Sequence, residues 1–186
     1  MSTVTPDPTT GILFTDQYQL TMSQLYWKYG LQERTAQFDY FFRRYPDYGR
    51  HQAGYAVFAG LEWLLEWIEA TRVRQDDLDH LRQQHDHAGR RRFDEGFLTW
   101  LAETDGFEGV SVRSVPEGRI VHGHEPISVV EGPLAVAQIL ETSFLNHLNY
   151  QTLVATKASR VAEAAAGGQQ RDGTSDQQGQ CRQDEP

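Results

Sequence analysis

The sequence predicts a mixed α+β chain, with helices packed around a small module of short strands. Three observations carry this. Apolar residues recur at spacings of three and four through several stretches between residues 15 and 166, the period of a helix with one buried face. Residues 36–42 instead alternate apolar and polar, the period of a half-buried strand. Between residues 107 and 132, short Val and Ile runs are separated by Pro-Glu-Gly and Gly-His-Glu-Pro, the texture of brief strands joined by tight turns.

Length and composition set the frame. A chain of 186 residues with four Trp, eight Tyr and nine Phe is long enough to bury one core with a small appended module. The formal charge of −9 argues against a general nucleic-acid partner, because phosphate backbones require clustered Lys and Arg. Arg90-Arg91-Arg92 is a short basic run among acidic residues and reads as a solvated loop or helix start. Cys181 is the only cysteine, so no disulfide framework forms within one chain, in keeping with a reducing compartment. The N-terminus has neither a basic n-region nor an apolar h-region, unlike a secretory signal. No apolar run approaches the roughly 20 residues that span a bilayer. The expectation is a cytoplasmic chain with no membrane partner.

The elements follow in order. Residues 1–10, with two prolines and several threonines, are expected to be mobile. Thr15 is expected to cap a helix running to about Tyr29, with Tyr18, Met22, Leu25, Tyr26 and Tyr29 on one apolar face and Gly30 at its C′ position. A strand follows over 36–42, burying Ala36, Phe38, Tyr40 and Phe42, then a loop over 45–54. Residues 55–70 are expected to be helical, striped by Phe58, Leu61, Leu65 and Ile68. Two short helices are expected near 75–85 and 93–103, the second striped by Phe93, Phe97, Trp100 and Leu101. Three short strands then carry Val110–Val115, Ile120-Val121 and Ile127–Val130. Pro133 suits the first position of a helix to about Leu148, and a last Ala-rich helix is expected over 151–166, ending at Gly167-Gly168. The final twenty residues hold no Leu, Ile, Val, Met, Ala or aromatic residue, so 167–186 reads as a disordered tail.

Thr15-Asp16-Gln17-Tyr18-Gln19-Leu20-Thr21-Met22, Phe41-Phe42-Arg43, Gly54-Tyr55-Ala56-Val57-Phe58-Ala59-Gly60-Leu61 and Val115-Pro116-Glu117-Gly118 stand out as motifs. Together they resemble nicotinate phosphoribosyltransferase, an enzyme family of NAD salvage. Glu125-Pro126, Val130-Glu131-Gly132-Pro133-Leu134, Leu140-Glu141-Thr142 and Asn149-Tyr150-Gln151-Thr152-Leu153-Val154-Ala155-Thr156-Lys157-Ala158 continue the match. It covers about residues 11–166, more loosely over 72–106. The resemblance implies an α+β / α/β architecture, the N-terminal domain of a type II phosphoribosyltransferase over 11–132 followed by the first helices of a truncated α/β barrel over 133–166. It implies transfer of a phosphoribosyl group from 5-phosphoribosyl 1-diphosphate to nicotinate, driven by ATP through a phosphorylated histidine, with Mg²⁺ on the phosphates. It also implies a homodimer whose active sites lie where the N-terminal domain of one subunit meets the barrel of the next.

Few residues qualify for a site. By the resemblance, Tyr18 stacks on the pyridine ring across a subunit interface, where a flat aromatic gains from offset stacking and Tyr adds a polar handle. From the residues alone, Tyr18 reads rather as a core tyrosine on the apolar face of the first helix. Asp16 sits in the first helical turn, where the helix dipole favours a carboxylate without any functional reason; the resemblance makes it a hydrogen-bonding neighbour of nicotinate. Thr152, Lys157 and Arg160 form a phosphate-binding candidate group. Lys157 and Arg160 share a helix face, and two cations there suit a diphosphate or simply form a solvated face. His122 and His124 flank a glycine, and His80, His85 and His87 lie near acidic residues. Neither set has the spacing of a zinc site, so no metal ligand is assigned. No histidine is assigned the phosphorylated role, no residue is assigned as catalytic, and no ATP-binding residue is identified. The sequence contains neither GxxxxGK[ST] nor GxGxxG.

Because the barrel strands and phosphoribosyl-diphosphate loops of the family find no match here, the chain reads as an N-terminal fragment, inactive alone. The switch at Gly167 fits a frameshift, a wrongly ended gene or a naturally short product. Two alternatives stand beside this reading. One is a non-catalytic interaction module that pairs with a full-length subunit. The other is a fragment of a related quinolinate or nicotinamide phosphoribosyltransferase. A biotin- or lipoate-carrying module is excluded, because residues 107–132 contain no lysine to modify.

Overall fold

The computed structural model describes residues 11–45 and 54–175, with side chains described through residue 166. The expected mobile N-terminus, most of the 45–54 loop, Cys181 and the end of the polar tail lie outside the described residues. The elements in chain order are α1 (Gln17–Lys28), β1 (Thr35–Tyr40), β2 (Ala56–Val57), α2 (Leu61–Ala70), α3 (Gln75–Arg82), α4 (Glu95–Glu103), β3 (Ser111–Ser114), β4 (Ile120–Val121), β5 (Ser128–Pro133) and α5 (Leu134–Ser175).

Helix α5 corrects three expectations. It is one continuous helix of 42 residues, where the sequence suggested two. Nothing between Leu148 and Gln151 breaks a helix; Asn149 and Tyr150 have ordinary propensities. The helix also runs past Gly167-Gly168 to Ser175, into the stretch expected to be a disordered tail. A helical glycine costs only about 1 kcal/mol relative to alanine and does not by itself end a helix. Pro133 is the last residue of β5, paired with Thr35 of β1, rather than the first helical residue. The N–H groups of Leu134 and Ala135 donate to the carbonyls of Arg34 and Gln32 at 2.8 and 3.2 Å, so the helix start is tied to the α1–β1 connection.

Helix α1 starts one residue later than expected, with Asp16 rather than Thr15 at the N-cap. The Thr15 hydroxyl instead donates to the Ile139 carbonyl of α5 at 2.8 Å. Gly30 does close the helix: its φ is +67°, and the Leu31 N–H reaches back to the Tyr26 carbonyl at 2.8 Å, the arrangement that favours glycine at this position.

Residues 55–60 are not helical. Ala56–Val57 pair antiparallel with Ile120–Val121, and α2 begins only after Gly60, which has a φ of +102°. Tyr-Ala-Val-Phe suits either state locally, and the partner strand decides. Leu64 is the buried residue of α2, while Leu65, expected in the stripe, is 38% exposed. The three strands after residue 107 are present but do not share one sheet. β3 and β5 join β1 in the order β1-β5-β3, and β4 leaves to pair with β2. In β1 only Tyr40 is fully buried, because this strand lies at the sheet edge and Phe38 looks onto an open groove.

A single core joins these parts. Leu20 from α1, Phe58, Leu64, Phe97 and Leu101 belong to one cluster with Ile139, Leu140, Phe144 and Leu148 of α5. Among the described residues, no helix is long and apolar enough to cross a membrane.

The far half of α5 is held differently. Val57 N–H donates to Thr156 Oγ1 at 2.8 Å and Ala59 N–H to Thr152 Oγ1 at 3.2 Å, while Tyr55 Oη meets Ser159 Oγ at 3.2 Å. Alternate strand residues advance about 6.6 Å and residues four apart on a helix about 6 Å. A strand running against a helix therefore finds a hydroxyl for every second residue. Two of these contacts satisfy the N–H groups of Val57 and Ala59, and the third joins two side-chain hydroxyls.

Candidate functional site

Helix α1 turns a polar face inward. Gln19 and Ser23 are both 0% exposed, whereas Tyr18, Leu25 and Tyr29, expected on the buried face, are 51%, 49% and 70% exposed. Hydrogen bonds to α5 account for the rotation. Gln19 Nε2 donates to Glu141 Oε2 at 2.8 Å, and Gln138 Nε2 donates to Gln19 Oε1 and to Glu141 Oε2 at 3.1 Å. Tyr26 Oη donates to Gln138 Oε1 at 3.3 Å. A buried amide left unpaired costs several kcal/mol, so Gln19 faces the partners that pair both of its polar atoms. Its apolar neighbours are thereby carried to the surface.

Tyr18 and Asp16 consequently stand together at the rim of an open cleft of about 460 Å³, shared with Thr142, Leu145, Asn146 and Tyr150 of α5. Asp16 Oδ2 accepts from Thr142 Oγ1 at 3.0 Å, and Thr142 Oγ1 in turn accepts from the Asp16 N–H at 3.2 Å. This exchange fixes the start of α1 against α5. Tyr18 Oη points to Glu141 Oε1 at 3.5 Å, a long hydrogen bond. Partial desolvation, followed by the charges of Glu141 and Asp16, raises the Tyr18 phenol above its ordinary range. Beside the cleft, a second groove of about 560 Å³ runs between β1 and α5, walled by Phe38, Phe41, Phe42, Leu140 and Phe144. The two concavities share Leu145 and Asn149.

The structure therefore brings Asp16 and Tyr18 together and keeps the phosphate-binding candidates apart from them. Thr152 is buried and its hydroxyl both accepts from the Ala59 N–H and donates to the Ala59 carbonyl. Lys157 is exposed and Arg160 half-buried one turn along. None of the three lines the Asp16–Tyr18 cleft. His122 Nδ1 meets Tyr45 Oη at 2.8 Å. Among the described residues, no three His, Cys, Asp or Glu side chains gather as a metal site. Sequence reasoning missed Gln19, Gln138, Glu141 and Thr142 as neighbours of Tyr18. The available signal was polar residues interrupting otherwise apolar helical stripes.

The model of the nicotinate phosphoribosyltransferase N-terminal domain matches residues 13–149. The chain is 44% identical over 149 residues to the nicotinate phosphoribosyltransferase of Bacillus subtilis, covering 80% of this chain and 28% of that protein. It is 40% identical over 157 residues to nicotinate phosphoribosyltransferase pncB2 of Mycobacterium tuberculosis, covering 84% and 31%. The crystal structure of human nicotinic acid phosphoribosyltransferase superposes with a TM-score of 0.67 at 37% identity, covering 78% of this chain and 27% of that one. The chain thus spans less than a third of the length of these relatives. Its α+β fold and the match across residues 13–149 show that this chain belongs to the nicotinate phosphoribosyltransferase N-terminal domain family.

Proposed function

We propose that this chain supplies the nicotinate-facing N-terminal domain for phosphoribosyl transfer in pyridine nucleotide salvage. In the whole reaction the pyridine nitrogen of nicotinate forms a bond to C1 of the phosphoribosyl group, and the bond from C1 to diphosphate breaks. Nicotinate mononucleotide and diphosphate result. ATP hydrolysis accompanies the transfer and Mg²⁺ balances phosphate charge. The observation that carries this reading is the outward-facing Tyr18 ring beside Asp16 at an open cleft, in a chain of this family.

In this proposal Tyr18 stacks on the pyridine face, and Asp16, held by Thr142, marks the edge of the ring site. Among the described residues no three His, Cys, Asp or Glu side chains gather, and Mg²⁺ typically rides on substrate phosphates with one or two carboxylates, so here it would enter with the phosphates. Lys157 and Arg160 are the candidates for meeting the phosphates of 5-phosphoribosyl 1-diphosphate; Thr152, with its hydroxyl engaged by Ala59, acts by holding that stretch of α5 in place. The working assembly is a cytoplasmic homodimer in which the Tyr18 face meets a neighbouring subunit.

Two assays test this. The 186-residue chain alone, given nicotinate, 5-phosphoribosyl 1-diphosphate, ATP and Mg²⁺, is expected to form no nicotinate mononucleotide, because it spans less than a third of its relatives; turnover defeats that expectation. In an enzyme completed with the rest of a relative's sequence, Tyr18→Ala is expected to raise the KM for nicotinate about two- to tenfold, the scale of losing one aromatic stacking contact of 0.5–1.5 kcal/mol. An unchanged KM removes Tyr18 from the site. The exposed Leu25, Tyr29 and Leu153 also favour a second reading, a non-catalytic module that pairs with a full-length subunit; co-purification with such a subunit supports it, and a strictly monomeric chain in the same mixture opposes it.

A further inference from the structure

The contact between α1 and α5 contains a carboxylate to which neither the chemistry above nor the motifs assign a role. Glu141 accepts three hydrogen bonds from three side chains. Its Oε2 takes the amide N–H groups of Gln19 and Gln138 at 2.8 and 3.1 Å, and its Oε1 faces the Tyr18 hydroxyl at 3.5 Å. Gln19 is wholly buried and Gln138 nearly so. The two amides also bond each other, and Gln138 is tied to Tyr26, two turns along α1 from Tyr18. Glu141 is thus gripped from the protein side and presents its other oxygen outward.

We infer that Glu141 is a positioning residue for Tyr18, an assignment that rests on the reading of Tyr18 as the nicotinate-stacking ring. Three donors converge on this side chain, and an ionised carboxylate accepts from all three at once. An ionised carboxylate has two oxygens and about four lone-pair sites, whereas a glutamine there turns its own N–H₂ toward a donor. Bonds to a charged acceptor are also the stronger kind. Gln19 and Gln138 set the rotation of α1 about its axis, and Glu141 converts that rotation into a preferred direction for the phenol. A stacking ring held in place before its ligand arrives loses less side-chain freedom on binding.

The test follows the Tyr18 ring in the 186-residue chain carrying ¹³C-labelled tyrosine, the signal being assigned by its loss in Tyr18→Phe. In the parent chain the phenol titrates above the ordinary tyrosine value, for reasons that include the charges of both Glu141 and Asp16. Glu141→Gln is expected to shift the Tyr18 signal and move its titration down toward that value. Glu141→Asp, which keeps the charge on a shorter stem, is expected to fall between the two. Tyr18 shifts and titration identical to the parent in a folded Glu141→Gln chain overturn the assignment. If Glu141→Gln does not fold, Glu141→Asp decides by the same criterion. Nicotinate forms a separate arm: it is expected to shift the Tyr18 ring signal in the parent and to shift it less in Glu141→Gln. A parent ring indifferent to nicotinate defeats the stacking reading alone, since the ligand-free titration still decides the positioning role.

Discussion

The two halves of α5 are built on different principles. From Ala135 to Leu148 the helix is enclosed, with Ala135, Val136, Ile139, Leu140, Phe144 and Leu148 all buried. Between Asn149 and Ala166 only Thr152 and Thr156 are buried, while Tyr150, Leu153, Val154 and Val161 are exposed. The first half is held by apolar packing, which is strong and indifferent to direction, with the hydrogen bonds of Gln138, Glu141 and Thr142 to α1 and its N-cap along one edge. The second half is held by hydroxyls that match the spacing of β2, which gives modest energy and fixed orientation. The same helix thus anchors the fold at one end and presents a defined, open surface at the other.

The largest expected effect lies in the enclosed half. Phe144 is buried and meets the ring of Tyr40 edge-on at 5.7 Å. Phe144→Ala is expected to destabilise the chain by about 3–5 kcal/mol, the range for losing a large buried aromatic and leaving a cavity. A urea midpoint that barely moves with an unchanged slope defeats the claim that this half is the anchor.

Next is an alkaline effect at the same contact. Burial pushes the Tyr40 phenol up to about 12, and its hydroxyl donates to Asn149 Oδ1 at 2.8 Å. The folded state therefore favours the neutral phenol. The resulting stability is fully present below the ordinary tyrosine value near 10 and is lost as pH rises through about 12. A loss of about 2 kcal/mol across that window is expected from a shift of this size. Other tyrosines titrate there too, so the measurement is the difference in stability between parent and Tyr40→Phe at each pH. A difference that stays constant from pH 9 to pH 12 contradicts it.

How much of this was legible depended on what decides each element. Gly30, the 93–103 helix and the short strands were readable because local signals suffice: a glycine at positive φ, a strong apolar stripe, turn residues between β-branched runs. The helical reading of 55–60 failed because Ala56–Val57 take their structure from Ile120–Val121, more than sixty residues away. The orientation of α1 failed for a related reason. Tyr18, Leu25 and Tyr29 form an apolar stripe, and apolar stripes usually face the core. Gln19 could be recognised as facing inward only with Gln138 and Glu141 of α5 in view; Ser23, one turn on, is buried with its hydroxyl unbonded among the described residues. Asp16 and Tyr18, which line one cleft, could be proposed from one helix alone; Gln138, Glu141 and Thr142, their neighbours across the contact between two helices, could not.

A smaller effect belongs to the hydroxyl ladder. Thr156→Val keeps the shape of the side chain and removes the acceptor for the Val57 N–H. The expected cost is about 1–2 kcal/mol, the penalty of one buried donor left unsatisfied. It should fall mainly on β2, read as faster hydrogen exchange at Val57 with little change at Leu148. Uniform acceleration across α5 would mean that its two halves unfold as one unit and that the contrast between them is not energetic.

The smallest expected effect sharpens the comparison most. Leu153 is 41% exposed on the open half and lines the cleft with Tyr18. In an isolated chain, Leu153→Ser removes little buried area, and surface changes of this kind usually stay within about 0.5 kcal/mol. A melting temperature that is low, independent of concentration and nearly unchanged by the substitution is the expected result for a monomer. If Leu153→Ser costs several degrees, and the parent melts higher as its concentration rises, mass action is stabilising the folded chain through association. The open half of α5 would then be a covered surface in solution, and Tyr18 would meet another copy of this chain rather than water.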